Sequence, residues 1–232
     1  GCVPHPNIPF FGASPDGICD PESENRQKIG YMLEIKCPKS RPITGFPPEY
    51  YEYQVQGQLE VCDLEYCDFL ECNLHEYNNK DEYMNDSILD KDGNVNINYQ
   101  KNGLEKGVVI ELYDHKLKKS IFKYGDLNMT KEKLEKWCDE IIDESLETPT
   151  IDYLGTSYWK LIDYCCTLIK RDKERFKEMY IGIKQFWDDV LHYRNIGTDS
   201  LLKKKTSNNN SNKVNKTSKI KFSKEVDLSF LD

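Results

Sequence analysis

The sequence predicts an α/β (α+β) fold, because strand-like and helix-like stretches succeed one another along the chain. Residues 29–37 and 66–74 alternate apolar and polar side chains with the period of two that is typical of strands. Residues 49–61 place Tyr51, Val55 and Leu59 four positions apart, which is the spacing of an amphipathic helix. At 232 residues, 38% of them hydrophobic, the chain is long enough to bury a sizeable core.

The beginning of the chain predicts a β-hairpin. Residues 10–18 contain Pro15-Asp16-Gly17, a strong turn signal, and residues 20–28 are polar and typical of a hairpin loop. Residues 29–37 then form a strand, on which we expect Ile35 to point into the core. A hairpin from residue 18 to residue 31 would bring Asp16 beside Glu34.

The remaining patterns predict further helices and strands, with Thr130 as a helix cap. In order, they are a polar inserted loop at residues 78–103, a strand pair at 108–113 and 120–124, and helices at 131–144, 158–169 and 172–193. The predicted core domain covers residues 1–196. Residues 197–232 differ in composition: Lys203–Lys205 and runs of Ser and Asn precede a short apolar segment at 226–231, which predicts a low-complexity tail.

Composition and charge exclude several classes. No stretch has the length and apolarity of a membrane span, and no apolar segment of the signal-peptide kind opens the chain. The net charge of −8 argues against a simple basic DNA-coating protein. Nine cysteines without paired C-x-x-C spacing argue against zinc and favour reduced thiols. We therefore expect an intracellular, reducing compartment, with the nucleus left open.

Three side chains near the predicted hairpin fit phosphodiester cleavage, which needs a divalent cation held by oxygen ligands and an activated water. Glu34 and Lys36 project to the same face of their strand because side chains alternate. Asp16 at the turn adds a second carboxylate. The predicted site has Asp16 and Glu34 as cation ligands, the Ile35 carbonyl oxygen available to the metal, and Lys36 to orient or deprotonate the water.

These residues belong to a longer ordered series. It consists of His5-Pro6, Gly12-Ala13-Ser14-Pro15-Asp16-Gly17, Leu33-Glu34-Ile35-Lys36-Cys37-Pro38, and Tyr50 followed by Gln54-Val55-Gln56-Gly57-Gln58-Leu59. The series resembles the lambda-type phage exonucleases and the YqaJ-like viral recombinases, within the PD-(D/E)XK nuclease superfamily. The resemblance is close over residues 1–74 and extends loosely to the C-terminal helices.

The resemblance implies a restriction-endonuclease-like central mixed β-sheet flanked by α-helices. It also implies dependence on Mg2+ or Mn2+, and processive 5′-to-3′ digestion of double-stranded DNA in viral recombination or repair. It assigns Asp16, Glu34 and the Ile35 carbonyl to the metal and Lys36 to catalysis. It further places Gln54 and Gln56 of the following helix along the site.

The resemblance also bears on partners. Ser14 and Lys39 are candidate DNA contacts, and a single-strand annealing protein or recombinase is a candidate protein partner. Some members of the family form trimers. The family also places a helix before this region, with a further metal-ligand Glu and an Arg at the DNA end. Since the sequence starts at Gly1, we interpret it as a fragment or processed product without that helix.

Two alternative functions remain open at this point. The first is a structure-specific endonuclease or a RecB-like nuclease module. The second is a truncated, non-catalytic protein that binds DNA or a recombinase.

Overall fold

The computed structural model describes residues 1–199 and residue 201. The elements of this part of the chain follow in sequence order: β1 (Val3–Pro4), β2 (Gly12–Ala13), β3 (Gly17–Ile18), β4 (Met32–Lys36), α1 (Glu49–Cys62), β5 (Tyr66–Glu76), α2 (Lys80–Asn85), β6 (Ile88–Leu89), β7 (Val95–Asn96), β8 (Lys106–Asp114), β9 (Lys119–Tyr124), α3 (Lys131–Glu147), β10 (Ile151–Lys170) and α4 (Lys173–Ile196). A 3₁₀ turn, Arg26–Lys28, lies between β3 and β4. Lys203–Lys205 and residues 226–231 lie outside the described residues.

A six-stranded sheet has the strand order β3-β4-β5-β10-β8-β9. Strand β8 is antiparallel to both β9 and β10, and β3 is antiparallel to β4. The predicted α/β class, a central mixed sheet with helices, is confirmed. Among the described residues, no helix is long and apolar enough to cross a membrane.

The described chain divides into two compact units. The first unit contains Gly1–Glu34, Pro47–Phe69 and the described part of Leu168–Asp232, and the second unit contains Ile35–Phe46 and Leu70–Thr167. Strand β4 therefore contributes residues to both.

The first unit has two apolar clusters. One joins β4, α1 and β5 through Met32, Val55, Leu59, Cys67 and Phe69. The other packs the N-terminal segment on α4 through Ile8, Phe176 and Tyr180. The predicted helix over 49–61 is confirmed as α1, and the one over 172–193 is confirmed as α4. Asp172 caps α4, because its side chain accepts a hydrogen bond from the Arg175 N–H.

The second unit has its own core around Tyr77, Tyr83, Ile97, Val108 and Leu134. The predicted strand pair is confirmed as β8 and β9, and Thr130 caps α3 as expected. Residues 78–103, which the sequence predicts as a polar loop, contain α2 and the β6–β7 hairpin. Tyr83 and Ile97, both in this segment, are buried because they pack in the core.

The prediction of a helix at residues 158–169 is wrong, because this segment belongs to the long strand β10. The apolar stripe Trp159, Ile162, Cys166 and Ile169 fits a helix by spacing alone. However, the segment is rich in aromatic and β-branched residues, which pack well on a pleated surface. A ladder with β8 runs from Ile151 opposite Asp114 to Lys160 opposite Lys106, and it stabilises the extended form.

Candidate functional site

The hairpin of β3 and β4 brings Asp16 towards Glu34. Gly17 pairs with Leu33 and Ile18 pairs with Met32, so the register continues with Asp16 facing Glu34. The predicted hairpin is confirmed, although its strands are shorter than expected. Asp16 is exposed at its rim, whereas Glu34 is only 2% exposed.

Two amide side chains of α1 hold the buried Glu34 carboxylate. Gln54 Nε2 donates to Glu34 Oε1 at 2.6 Å, and Gln58 Nε2 donates to Glu34 Oε2 at 2.7 Å. Positions four residues apart lie on one face of a helix, so α1 presents both amides together. Hydrogen bonds to a charged acceptor are strong, and they offset the cost of burying it. Gln58 Nε2 also lies 3.3 Å from the Ser14 carbonyl oxygen, which ties the turn segment to the same helix.

Gln56 lies elsewhere, which corrects its predicted place along the site. Its Nε2 donates to the Lys170 carbonyl oxygen at 2.8 Å, and its Oε1 accepts from the Asp172 N–H at 2.7 Å. Both ends of this buried amide therefore bind the backbone where β10 passes into α4. The sequence analysis did not assign Gln58 a role in the site. Its spacing of four from Gln54 places both side chains on one face of α1, whereas a spacing of two turns the Gln56 side chain away from that face.

Ile35 and Lys36 follow Glu34 on β4 and belong to the second unit. The predicted burial of Ile35 is wrong, because its side chain is 40% exposed while Met32 and Glu34 form the buried face of the strand. Lys36 shares the strand face of Glu34 by alternation and is half-buried.

The two candidate DNA contacts are both exposed. Ser14 Oγ donates to the Gly1 carbonyl oxygen at 3.1 Å, and Lys39 lies in the segment after β4. Their predicted contact with DNA stays a prediction.

The donor set fits a hard divalent cation. Mg2+ prefers oxygen ligands and is commonly held by one or two carboxylates, with waters and substrate phosphate completing its shell. Asp16 and Glu34 supply carboxylate oxygens, and an ionised carboxylate accepts at several lone-pair sites on its two oxygens. No group of three or more His, Cys, Asp or Glu side chains suited to a metal occurs in the described part of the chain, so a site here depends on two carboxylates.

An ion-pair network centred on the buried Arg171 fixes the end of α1 within the first unit. Arg171 donates to Glu60 Oε2 at 2.8 Å and to Asp63 Oδ1 at 2.7 Å, and this bond lowers the pKa of Asp63. His5 Nδ1 accepts from the N–H groups of Asn7 and Ile8, and burial lowers the His5 pKa. His5, a residue of the recognised series, therefore has a structural role here.

A cavity of about 510 Å³ opens beside the two amides. It is lined by Phe11, Gly12, Ala13, Ser14, Tyr50, Tyr53, Gln54, Gly57, Gln58, Met179 and Ile183. Gly57 is required for close packing, because a Cβ there would meet the Phe11 ring at 3.1 Å. The cavity places flat apolar surfaces next to the hydrogen-bonding groups that hold Glu34.

Fold and site together define an α/β protein with a turn aspartate opposite a buried Glu-x-Lys strand. Comparison with known proteins is consistent with the predicted resemblance: residues 1–65 match the family model of the YqaJ-like viral recombinase domain.

Two further proteins are similar to the chain. One is an uncharacterized protein of Acanthamoeba polyphaga mimivirus, 35% identical over 218 residues, which cover 84% of this chain and 39% of that protein. The chain thus spans about two fifths of this relative's length. The other is LHK-Exo, whose crystal structure contains dAMP. That likeness has a TM-score of 0.39 and 18% identity, and it covers 88% of this chain and 60% of that one.

Proposed function

We propose that this chain is the catalytic part of a metal-dependent deoxyribonuclease, a viral exonuclease that hydrolyses phosphodiester bonds of double-stranded DNA in recombination or repair. The observation that carries the proposal is the setting of Glu34. Its carboxylate is 2% exposed, is held in a fixed orientation by two amides and faces a turn aspartate in the hairpin register, and a pair of carboxylates is the arrangement that commonly holds a divalent cation beside a phosphate.

Each residue has a role in this proposal. Asp16 and Glu34 hold Mg2+ or Mn2+, with the Ile35 carbonyl oxygen as a further ligand. When bound, the cation supplies Lewis-acid stabilisation of the charge that develops on the phosphate. Lys36 orients the attacking water and accepts or shares its proton. Gln54 and Gln58 hold the Glu34 side chain in place, so that its two oxygens keep their orientation towards the cation while DNA binds and dissociates.

The matched recombinase domain and the viral relative support this assignment. We further propose 5′-to-3′ polarity, a single-strand annealing protein or recombinase as partner, and a trimer as the assembly, all from the family resemblance. The described cysteines are free, which accords with action in a reducing compartment of the infected cell.

The test measures nucleotide release from linear duplex DNA with Mg2+, for the protein and its Lys36→Ala variant. Lys123→Ala, which removes an exposed lysine of β9, is the matched control. Digestion by the protein and by the control, but not by Lys36→Ala, supports the proposal. Equal digestion by all three proteins would contradict the role of Lys36.

The same assay on circular duplex separates the alternatives. An exonuclease leaves a closed circle intact, whereas a structure-specific endonuclease cuts a circle that carries its target structure. A protein that binds both DNA forms with Mg2+ present but digests neither is the non-catalytic binder.

A further inference from the structure

A second and larger cavity of the first unit adjoins the one beside Gln54 and Gln58. It has a volume of about 890 Å³, within the range of about 300–1,000 Å³ that is typical of small-ligand sites. The two cavities share four lining residues: Phe11, Tyr53, Met179 and Ile183. The two cavities are therefore neighbours, separated by these shared side chains.

The wall of this larger cavity, which we call the aromatic groove, is built from flat rings. Phe10 stacks on Trp187 with centroids 5.3 Å apart and planes 10° apart. The guanidinium carbon of Arg194 lies 5.3 Å from the centroid of the Trp187 ring. Trp187 is therefore held in place by contacts with both Phe10 and Arg194. Phe186 also lines the groove and is 69% exposed. An accessible ring that lines a cavity together with other aromatic side chains is available to stack on a flat ligand.

The charged groups of the groove select the kind of ligand. Glu49 and Glu178 line it together with Arg175, whose guanidinium lies 5.1 Å from the centre of the Tyr53 ring and 2.9 Å from Glu52. Two carboxylates against one guanidinium disfavour a phosphate. They favour a flat, uncharged group with amino donors on its edge, which describes a nucleobase.

We propose that the aromatic groove binds an unstacked base of the DNA strand whose phosphate lies at Glu34, with Phe186 as the stacking platform. This inference rests on the proposed function and deepens it. Gln54 and Gln58 hold Glu34 and line the first cavity, which adjoins the groove, so the base next to a phosphate at Glu34 would enter the groove from that cavity. Aromatic platforms bind single-stranded bases with little dependence on sequence.

The test measures binding without cleavage, with Ca2+ in place of Mg2+. The probe is a single-stranded oligonucleotide with 2-aminopurine at its end, compared with the same strand carrying an abasic residue there. We expect the protein to quench the 2-aminopurine emission and to bind the abasic strand about tenfold more weakly. Phe186→Leu keeps apolar bulk but removes the flat ring, so it should lose the quenching and the tenfold preference, while Phe186→Trp retains both.

Tyr124→Ala is the matched control, since Tyr124 is 72% exposed on β9 and lies in the second unit. Equal binding of the two strands by the protein, or equal losses in Phe186→Leu and Tyr124→Ala, would overturn the inference. It is also overturned if Phe186→Leu changes the sedimentation coefficient of the DNA-free protein, because the groove then binds a second copy. Lys36→Ala should retain the quenching, so failure of the nuclease proposal and failure of this inference remain distinguishable.

Discussion

Two amide donors of α1 orient the Glu34 carboxylate. Removing a donor from a buried carboxylate costs about 1.5–3 kcal/mol in hydrogen bonding. We therefore expect Gln58→Ala to lower nuclease activity at least tenfold, because the carboxylate loses its fixed orientation. The measurement is the initial rate of nucleotide release per folded molecule, with the folded fraction taken from circular dichroism.

Gln56→Ala provides the matched comparison, since it removes the same side chain two residues earlier. Its loss leaves the Lys170 carbonyl and the Asp172 N–H without their side-chain partner. We expect it to lower the melting temperature while the rate per folded molecule stays within about twofold. A larger loss of rate in Gln56→Ala than in Gln58→Ala would contradict the assigned positions.

Lys106 of the second unit makes stability depend on pH. Its side chain is 0% exposed, and its ammonium donates to the Tyr83 and Asp86 carbonyl oxygens and to Ser87 Oγ. Burial lowers the Lys106 pKa to about 8. Between this pKa and the ordinary 10.5, the unfolded chain binds more protons than the folded protein. The contribution of this group to stability therefore rises with pH, by about 3 kcal/mol across the window.

The comparison with Lys106→Met isolates this effect. The half-buried thiols of Cys62 and Cys138 have pKa values raised by desolvation. Their effect on stability has the opposite sign, but they are common to both proteins. We expect the free energy of unfolding of the protein, minus that of the variant, to increase between pH 7.5 and pH 10 in urea titrations. A difference that stays constant with pH would refute the assignment.

The elements show where sequence patterns predict structure and where they do not. The hairpin, α1, β8, β9, α3 and α4 follow from turn residues, caps and periodicity, which are local signals. Strand β10 was missed because its apolar spacing also fits a helix. Its extended form depends on pairing with β8, whose residues lie about 50 positions earlier. Gln56 illustrates the same limit at the site, since its partners are more than 100 residues away.

The pairing of β10 with β8 leads to a prediction at Gly107. This glycine faces Trp159 across the ladder, and a Cβ at residue 107 would lie 2.8 Å from the indole carbon Cζ2. We expect Gly107→Ala to destabilise the fold by about 1–3 kcal/mol, because the half-buried indole must move. The measurement is the urea midpoint, followed by tryptophan fluorescence.

Gly155→Ala is the control on β10 itself, because a Cβ there meets no atom within 4 Å. It should leave stability unchanged or raise it by up to about 1 kcal/mol, since alanine restricts the unfolded chain. Equal destabilisation by the two substitutions would show that backbone freedom, rather than the contact with Trp159, determines the requirement for glycine.

For the whole molecule, a net charge of −8 works against binding to DNA by bulk attraction. Recognition must therefore come from local chemistry, and a bound cation is the most direct means of making the site attractive to phosphate. The carboxylates are recognisable in the sequence because the Asp and Glu-x-Lys spacing is local. The aromatic groove is not, because Phe10 and Trp187 meet only after α4 packs on the N-terminal segment.

Cation binding should appear in the stability of the whole molecule, independently of any activity. A ligand that binds only the folded state stabilises it by RT ln(1 + [L]/Kd), or about 1.4 kcal/mol at ten times the dissociation constant. For a protein of this size, we expect Mg2+ at that concentration to raise the melting temperature by roughly 3–5 °C. Asp16→Asn should abolish the increase, while Asp139→Asn, at an exposed position of α3, should retain it. The scans are made at matched ionic strength, because any cation screens the repulsion within an acidic protein. An increase that is the same in both variants would mean that Mg2+ acts through this general screening, and the two-carboxylate site would then be wrong.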